Sequence, residues 1–147
     1  MHAGASRPLL WNFAVGAIVE HLEAVSSGQI KRLAINIPPG HSKSILCAVA
    51  WPCWEWTYRP SMTWIFTTYL RSLTFRDAER RMNLIGSDYY KAHWSDLYSL
   101  TREAKEHTLN SQGGYMYSTS IEAGVIGWRG QKIVIDEIGR ASCRERV

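Results

Sequence analysis

The sequence lacks the features of a membrane or secreted protein. No apolar run approaches the roughly 18 residues that span a bilayer, and the N-terminus has no charged segment followed by an apolar one. The three cysteines, Cys47, Cys53 and Cys143, form no CxxC pair, and their odd number argues against a disulfide framework. We therefore expect free thiols and a soluble protein of a reducing, intracellular compartment.

Little in the composition indicates a metal centre or a charge-driven partner. The five histidines are scattered and show no metal-ligand spacing. The net charge is only +4, and half of it comes from the end of the chain, so net charge does not argue for nucleic-acid binding. With 147 residues, 46% of them hydrophobic, the chain is long enough for one domain with a core.

The most informative stretch is RLAINIPPGHSKS, residues 32–44. Residues 33–37 suit a buried strand, residues 38–40 (Pro-Pro-Gly) end it, and an apolar helical pattern begins at Lys43 and Ser44. A strand, a tight loop and a helix N-terminus form an anion site, because backbone N–H groups and the helix dipole favour negative charge. The order predicts a P-loop, with Lys43 for the phosphates of a nucleotide and Ser44 for Mg²⁺.

The match to the P-loop pattern is incomplete. Ile37 and Ser42 occupy the two positions where the pattern has glycine. If the loop needs a positive φ at residue 42, serine costs about 1–2 kcal/mol there. An ordinary turn before an amphipathic helix explains this stretch equally well, so a second element has to decide between the two interpretations.

The rest of the chain predicts alternating helices and strands. We expect helices over residues 12–27, 43–57 and 70–85, the second with a kink at Pro52. We expect strands over residues 62–68 and 133–135, and a hairpin whose strands cover residues 106–110 and 114–120. The tryptophans of the second helix are predicted to pack in the core; these are Trp51, Trp54 and Trp56. The arginines of the third helix are predicted to face solvent; these are Arg71, Arg76, Arg80 and Arg81.

The second element is GWRGQKIVIDE, residues 127–137, in which an apolar strand ends in Asp136 and Glu137. Carboxyl ends of parallel strands face the ligand crevice, where a P-loop also opens. Asp136 can hold Mg²⁺ there, and Glu137 can orient and deprotonate an attacking water. Many strands end in an acidic turn, so the pair alone is a weak signal. Together with Lys43 and Ser44 it favours a nucleotide hydrolase.

In chain order, the segments INIPPGHSKS, WPCWEW, FTTY, GGYMYSTS and GVIGWRGQKIVIDE resemble the ATPase domain of the large terminase subunit, the motor that packages DNA into phage heads. The resemblance runs from about Trp11 to Glu137. It implies an α/β P-loop NTPase fold of the additional-strand type, with a mainly parallel central sheet flanked by helices and incomplete at the C-terminus. We expect a partial ATPase domain over residues 1–137 and a tail over 138–147 that resembles nothing in the family. We also expect the nuclease domain of the family to be absent from this chain.

The resemblance also implies the roles of individual residues. Lys43 and Glu137 would be catalytic, and Ser44 and Asp136 would bind Mg²⁺. Trp11 would contact the adenine of ATP. Because Gly40 stands where many relatives carry a basic residue, Arg129 becomes the candidate transition-state arginine. The residues that would bind ATP are Pro39, Gly40, His41, Ser42, Lys43, Ser44 and Trp11.

The implied function is ATP hydrolysis that translocates double-stranded DNA into a viral capsid. The implied partners are DNA, a portal protein and a small terminase subunit, with a homo-oligomeric ring when full length, in the host cytoplasm and away from membranes. Two alternatives remain: a helicase-like nucleic-acid ATPase, and a non-catalytic remnant or interaction module. The family places a further strand between the P-loop strand and residues 133–135, so we expect this chain alone to be poorly stable and nearly inactive.

Overall fold

A computed structural model describes residues 11–38, 42–123, 127 and 129–136, and shows a mixed α/β architecture. Over these residues, no helix has the length and apolar character needed to cross a membrane. The helices are α1 Phe13–Ser26, α2 Trp51–Trp56, α3 Arg71–Ile85 and α4 Asp88–Trp94, and a π-helical turn, Ile45–Ala50, leads directly into α2. The strands are β1 Thr63–Thr68, β2 Leu100–Glu103, β3 His107–Asn110, β4 Tyr115–Ser120 and β5 Lys132–Asp136.

The five strands form one sheet in the order β2-β3-β4-β1-β5. β1 pairs in parallel with β4 on one side and with β5 on the other. The pairs β2–β3 and β3–β4 are antiparallel. The expected α/β sheet is therefore present as a mixed sheet, parallel around β1 and antiparallel around β3. The reason is local, because short connections such as residues 111–114 between β3 and β4 can join only antiparallel neighbours.

Residues 33–37 do not form the predicted strand. The segment 32–38 is free of regular structure and pairs with none of the described strands. Alternate side chains, those of Leu33, Ile35 and Ile37, are half-buried and pack against a cluster formed by α1 and Leu46. The alternation of the sequence therefore reports one-sided packing of an irregular segment, whereas a strand also needs a hydrogen-bonding partner.

The main core lies on one face of the sheet. Trp64 and Phe66 of β1, Met116 of β4 and Val134 of β5 share this face. They pack against helical side chains and the segment after α4, namely Ala48, Cys53, Trp56, Ile85, Tyr90 and Tyr98. On the opposite face of β5, Ile133 and Ile135 are 60% and 55% exposed.

Most of the predicted elements are present. α1 begins within a residue of the expectation, and the side chain of Asn12 caps it by accepting a hydrogen bond from the Val15 amide at 3.0 Å. The hairpin β3–β4 is confirmed. The packing role of the tryptophans is confirmed for Trp56, which is fully buried, and is wrong for Trp54, which is 41% exposed.

Candidate functional site

The predicted phosphate-binding residues stand where an extended segment turns into a helix. Lys43 and Ser44 are helical and lead into the π-helical turn. Ser42, just before them, has a φ of 60° and accepts a hydrogen bond from the Leu46 amide at 3.0 Å. Residue 42 is thus in the left-handed conformation that the glycine of a P-loop would adopt freely. The predicted contacts at Pro39, Gly40 and His41 lie outside the described residues.

Ser44 and Asp136 meet at the carboxyl edge of the parallel strands. The Ser44 hydroxyl donates a hydrogen bond to Oδ2 of Asp136 at 2.5 Å, across 92 positions of sequence. Asp136 is the last residue of β5, lies in register with Thr68 at the end of β1, and is 9% exposed. The hydroxyl and the carboxylate that were predicted to share a metal ion are therefore in direct contact.

Cys47 reports the electrostatics of this site. Burial raises the pKa of its thiol to about 11; the Asp136 carboxylate also raises this pKa, and the Lys43 ammonium lowers it. The pKa of this thiol is therefore affected both by Lys43, the predicted phosphate-binding cation, and by Asp136, the predicted metal-binding anion. Cys47 and Cys53 are free thiols, as expected, while Cys143 lies outside the described residues.

The donor set at the site fits Mg²⁺ better than a transition metal. Among the described residues, no three side chains of the types His, Cys, Asp and Glu cluster as a metal site. What the site offers is one hydroxyl and one carboxylate, both oxygen donors. Mg²⁺ prefers oxygen ligands and usually takes one or two from the protein, completing its shell with waters and substrate phosphates.

Room for a ligand exists at the same edge of the sheet. An open cleft of about 530 Å³ lies beyond the ends of β1 and β4, lined by residues that follow Thr68 and Ser120, including Tyr69, Leu70 and Glu122. Tyr69 directly follows Thr68, which pairs with Asp136, but none of Lys43, Ser44 and Asp136 lines the cleft. Carboxyl ends of parallel strands are where open α/β sheets bind their ligands.

Two predicted site residues, Trp11 and Arg129, are not part of this cluster. Trp11 is 70% exposed, and its ring lies against Gly16 of α1. Arg129 is exposed and precedes β5, whereas Asp136 lies at the other end of this strand, whose five residues span about 13 Å. Glu137 lies outside the described residues. The roles of Trp11, Arg129 and Glu137 stay predictions.

Arg81 is a residue that sequence reasoning placed wrongly. It was expected on the solvated face of α3, yet it is 2% exposed. Its guanidinium lies 3.7 Å from the centre of the Phe66 ring. The helical period could have shown this, because Arg81 is three residues after Ala78 and four before Ile85, both of which face the core.

Comparison with protein-family models, with curated proteins and with solved structures finds no match for this chain. A functional assignment therefore depends on the chemistry of Lys43, Ser44 and Asp136 and on the order of the motifs. The structure provides evidence on the chemistry of these three residues, and the sequence provides the order of the motifs.

Proposed function

We propose that this chain is the nucleotide-binding part of a P-loop ATPase of the additional-strand type, which hydrolyses ATP with Mg²⁺. The observation that carries the proposal is the contact between Ser44 and Asp136. A hydroxyl at a helix start and a carboxylate at the end of a parallel strand, with a lysine beside the hydroxyl, are the parts that phosphate and Mg²⁺ recognition require.

Each residue has a chemical role in the proposal. The Lys43 ammonium would neutralise charge on the phosphates, and Ser44 and Asp136 would hold the metal ion. A bound Mg²⁺ would further neutralise the charge that develops on the phosphoryl oxygens. Glu137, which follows Asp136 in sequence, would orient and deprotonate the attacking water.

The finer assignment is a DNA-packaging motor, the large terminase subunit. Its support is the ordered set of sequence segments described above, which end at Asp136 and Glu137. In this proposal the chain acts on double-stranded DNA, with a portal protein, a small terminase subunit and further copies of itself as partners. Contacts to the DNA backbone would carry no sequence preference.

Binding of a fluorescent ATP analogue, with and without Mg²⁺, tests the nucleotide site in this chain. We expect Lys43→Ala to abolish binding, because it removes the cation. Lys31→Ala, which removes an exposed lysine elsewhere, is the matched control. Ser44→Ala and Asp136→Asn should remove the part of the affinity that depends on Mg²⁺. An unaltered chain that binds no nucleotide, or binding that survives Lys43→Ala, would overturn the proposal.

Turnover separates the motor from its alternatives, and it is measured on this chain and on this chain fused to the nuclease domain of a large terminase subunit. Glu137→Gln should retain binding and stop hydrolysis, because the carboxylate that activates water is replaced by an amide. Stimulation by double-stranded DNA is expected of a packaging motor, whereas stimulation by single strands alone would favour the helicase-like alternative. Binding without any turnover would favour a non-catalytic remnant.

A further inference from the structure

Pro52 explains why the helix after Ser44 is wide. In an α-helix the amide of residue 52 would donate to the carbonyl of Ala48, but proline has no N–H and its ring crowds that carbonyl. The chain instead forms the π-helical turn Ile45–Ala50, in which the Trp51 amide donates to the Leu46 carbonyl, five residues back. The Ala48 carbonyl therefore does not accept the hydrogen bond that an α-helix would give it from residue 52. This change lies one helical turn after Lys43 and Ser44.

Arg81 supplies a donor to that carbonyl from another helix. Its Nη1 donates to the Ala48 carbonyl at 2.7 Å, and its Nη2 donates to Oγ of Ser118 on β4 at 2.8 Å. Ser118 is 1% exposed, so both bonds are shielded from water. One planar guanidinium therefore fixes the π-helical turn to the central part of the sheet.

This buried cation is not half of an ion pair. Asp77, the buried carboxylate of the same helix, pairs with Arg76 at 3.2 Å and with Arg80 at 3.8 Å, and among the described residues no carboxylate lies within 4.0 Å of Arg81. Burial lowers the pKa of Arg81 to about 10, which leaves the group charged at neutral pH. A buried charge without a carboxylate partner is costly unless it is hydrogen-bonded. Arg81 therefore depends on its two hydrogen bonds to remain buried.

We infer that Arg81 is a positioning residue for the nucleotide site: by bonding the Ala48 carbonyl and Ser118 together, it holds the helix start that carries Lys43 and Ser44 against the sheet edge that carries Asp136. The inference rests on the proposed function. Ala48 lies four residues after Ser44, one turn along the same helical segment. A displacement of this turn would therefore also move Ser44 and change its hydrogen bond of 2.5 Å to Asp136.

The test compares variants of Arg81 with a neighbour on the same helix. Arg81→Met removes both bonds and the charge, and Arg81→Lys keeps the charge but has only one donor nitrogen in place of Nη1 and Nη2. Arg80→Met removes an arginine that is 45% exposed and serves as the matched control. Ser118→Ala removes only the second acceptor, so it keeps the inference testable if Arg81→Met fails to fold.

Two readouts are needed, both taken well below the unfolding temperature of each variant. The first is the dissociation constant for the Mg²⁺-bound ATP analogue, and the second is hydrogen exchange of the amides of residues 45–50 without nucleotide. We expect Arg81→Met to weaken binding by about 10-fold or more, as the loss of groups that orient ligands does, and to speed exchange. Arg81→Lys and Ser118→Ala should fall between Arg81→Met and the unaltered chain, and Arg80→Met should match it.

The outcomes separate this inference from the proposed function. If the unaltered chain binds no nucleotide, the proposed function fails and the positioning role fails with it. If the chain binds nucleotide but folded Arg81→Lys and Ser118→Ala bind as Arg80→Met does, only the positioning role is overturned. A lower unfolding temperature with unchanged affinity would mark Arg81 as merely structural.

Discussion

Ser42 adopts a backbone conformation that the P-loop pattern assigns to glycine. Its φ of 60° lies in the left-handed region, which costs a side chain about 1–2 kcal/mol relative to the right-handed one. Glycine avoids that cost, yet it also gives the unfolded chain more freedom, which offsets part of the gain. In the proposed nucleotide site, the backbone conformation at position 42 matters more than the identity of its side chain.

Exchanging Ser42 tests that statement. We expect Ser42→Gly to raise the free energy of unfolding by up to about 1 kcal/mol. Ser42→Val should lower it by about 1–2 kcal/mol, because a β-branched side chain fits a positive φ worst. Urea unfolding monitored by tryptophan fluorescence measures both. Equal stability of the glycine and valine variants would contradict the left-handed conformation.

His107 makes stability depend on pH. It begins β3, and its ring lies 5.9 Å from that of Tyr115 and 6.1 Å from that of Tyr117, centre to centre. Burial, with a smaller effect from Arg102, lowers its pKa below the ordinary value of 6.5. As the pH falls below about 6.5, the unfolded chain takes up a proton first, so stability is lost through the window down to the folded pKa.

Replacing this imidazole should flatten the pH dependence. We expect the free energy of unfolding of His107→Gln to fall less than that of the unaltered chain between pH 7 and pH 5, as measured by urea unfolding. His21→Gln, on the exposed face of α1, controls for the loss of an imidazole as such. Parallel pH profiles for His107→Gln and the unaltered chain would contradict this explanation.

At the scale of elements, local patterns, including one hairpin, were predictable, and pairings between strands distant in sequence were not. The helical period located α1 and α3, and the turn at residues 111–113 located the hairpin β3–β4. Alternation at residues 33–37 looked like a strand, but alternation cannot show whether a backbone partner is available. Arg81 was misplaced because a charged residue was assumed to face water, whereas a guanidinium can be buried when carbonyl and hydroxyl acceptors surround it.

For the candidate site, the individual residues were predictable from the sequence, but their contact was not. The sequence pointed to Ser44 and Asp136 because a hydroxyl at a helix start and a carboxylate at a strand end are separate local signals. Their contact depends on β5 pairing in parallel with β1, which no local signal specifies. Arg81 acts through a carbonyl released by Pro52, so only the folded arrangement shows the connection.

A buried ion pair fastens α2 to the first residue of β5. The Lys132 ammonium lies 2.7 Å from Oε1 of Glu55, whose side chain is fully buried. The exposed Arg59 approaches the same oxygen at 3.8 Å. Because Glu55 has no other cation this close in the described part of the chain, Lys132 carries most of its compensation.

We expect Lys132→Met to lower the free energy of unfolding by about 3–5 kcal/mol, because it leaves a buried carboxylate without its main partner. The double variant Glu55→Met/Lys132→Met should be much closer to the unaltered chain, since no unpaired charge remains. Chemical unfolding of the two single variants and the double variant gives the coupling energy. Additive losses would show that the two side chains act independently.

At the scale of the whole molecule, β5 ends in Asp136 of the proposed site and exposes two isoleucines along one face. The Asp136 carboxylate accepts the hydrogen bond from Ser44, while Ile133 and Ile135 are largely exposed. Among the described strands β5 pairs only with β1, so its other edge carries backbone groups that no described strand satisfies. An apolar strand with a free edge favours pairing between molecules.

Lysines on the exposed face of β5 should therefore suppress self-association without affecting the site. We expect Ile133→Lys/Ile135→Lys to remain monomeric at concentrations where the unaltered chain forms larger species, as measured by light scattering after size-exclusion chromatography. Affinity for the ATP analogue should be unchanged, because both side chains point away from the face that carries Asp136. Ile121→Lys removes an isoleucine of similar exposure, 46%, outside the strand. If that control suppresses association as strongly, general surface hydrophobicity and not the strand causes it.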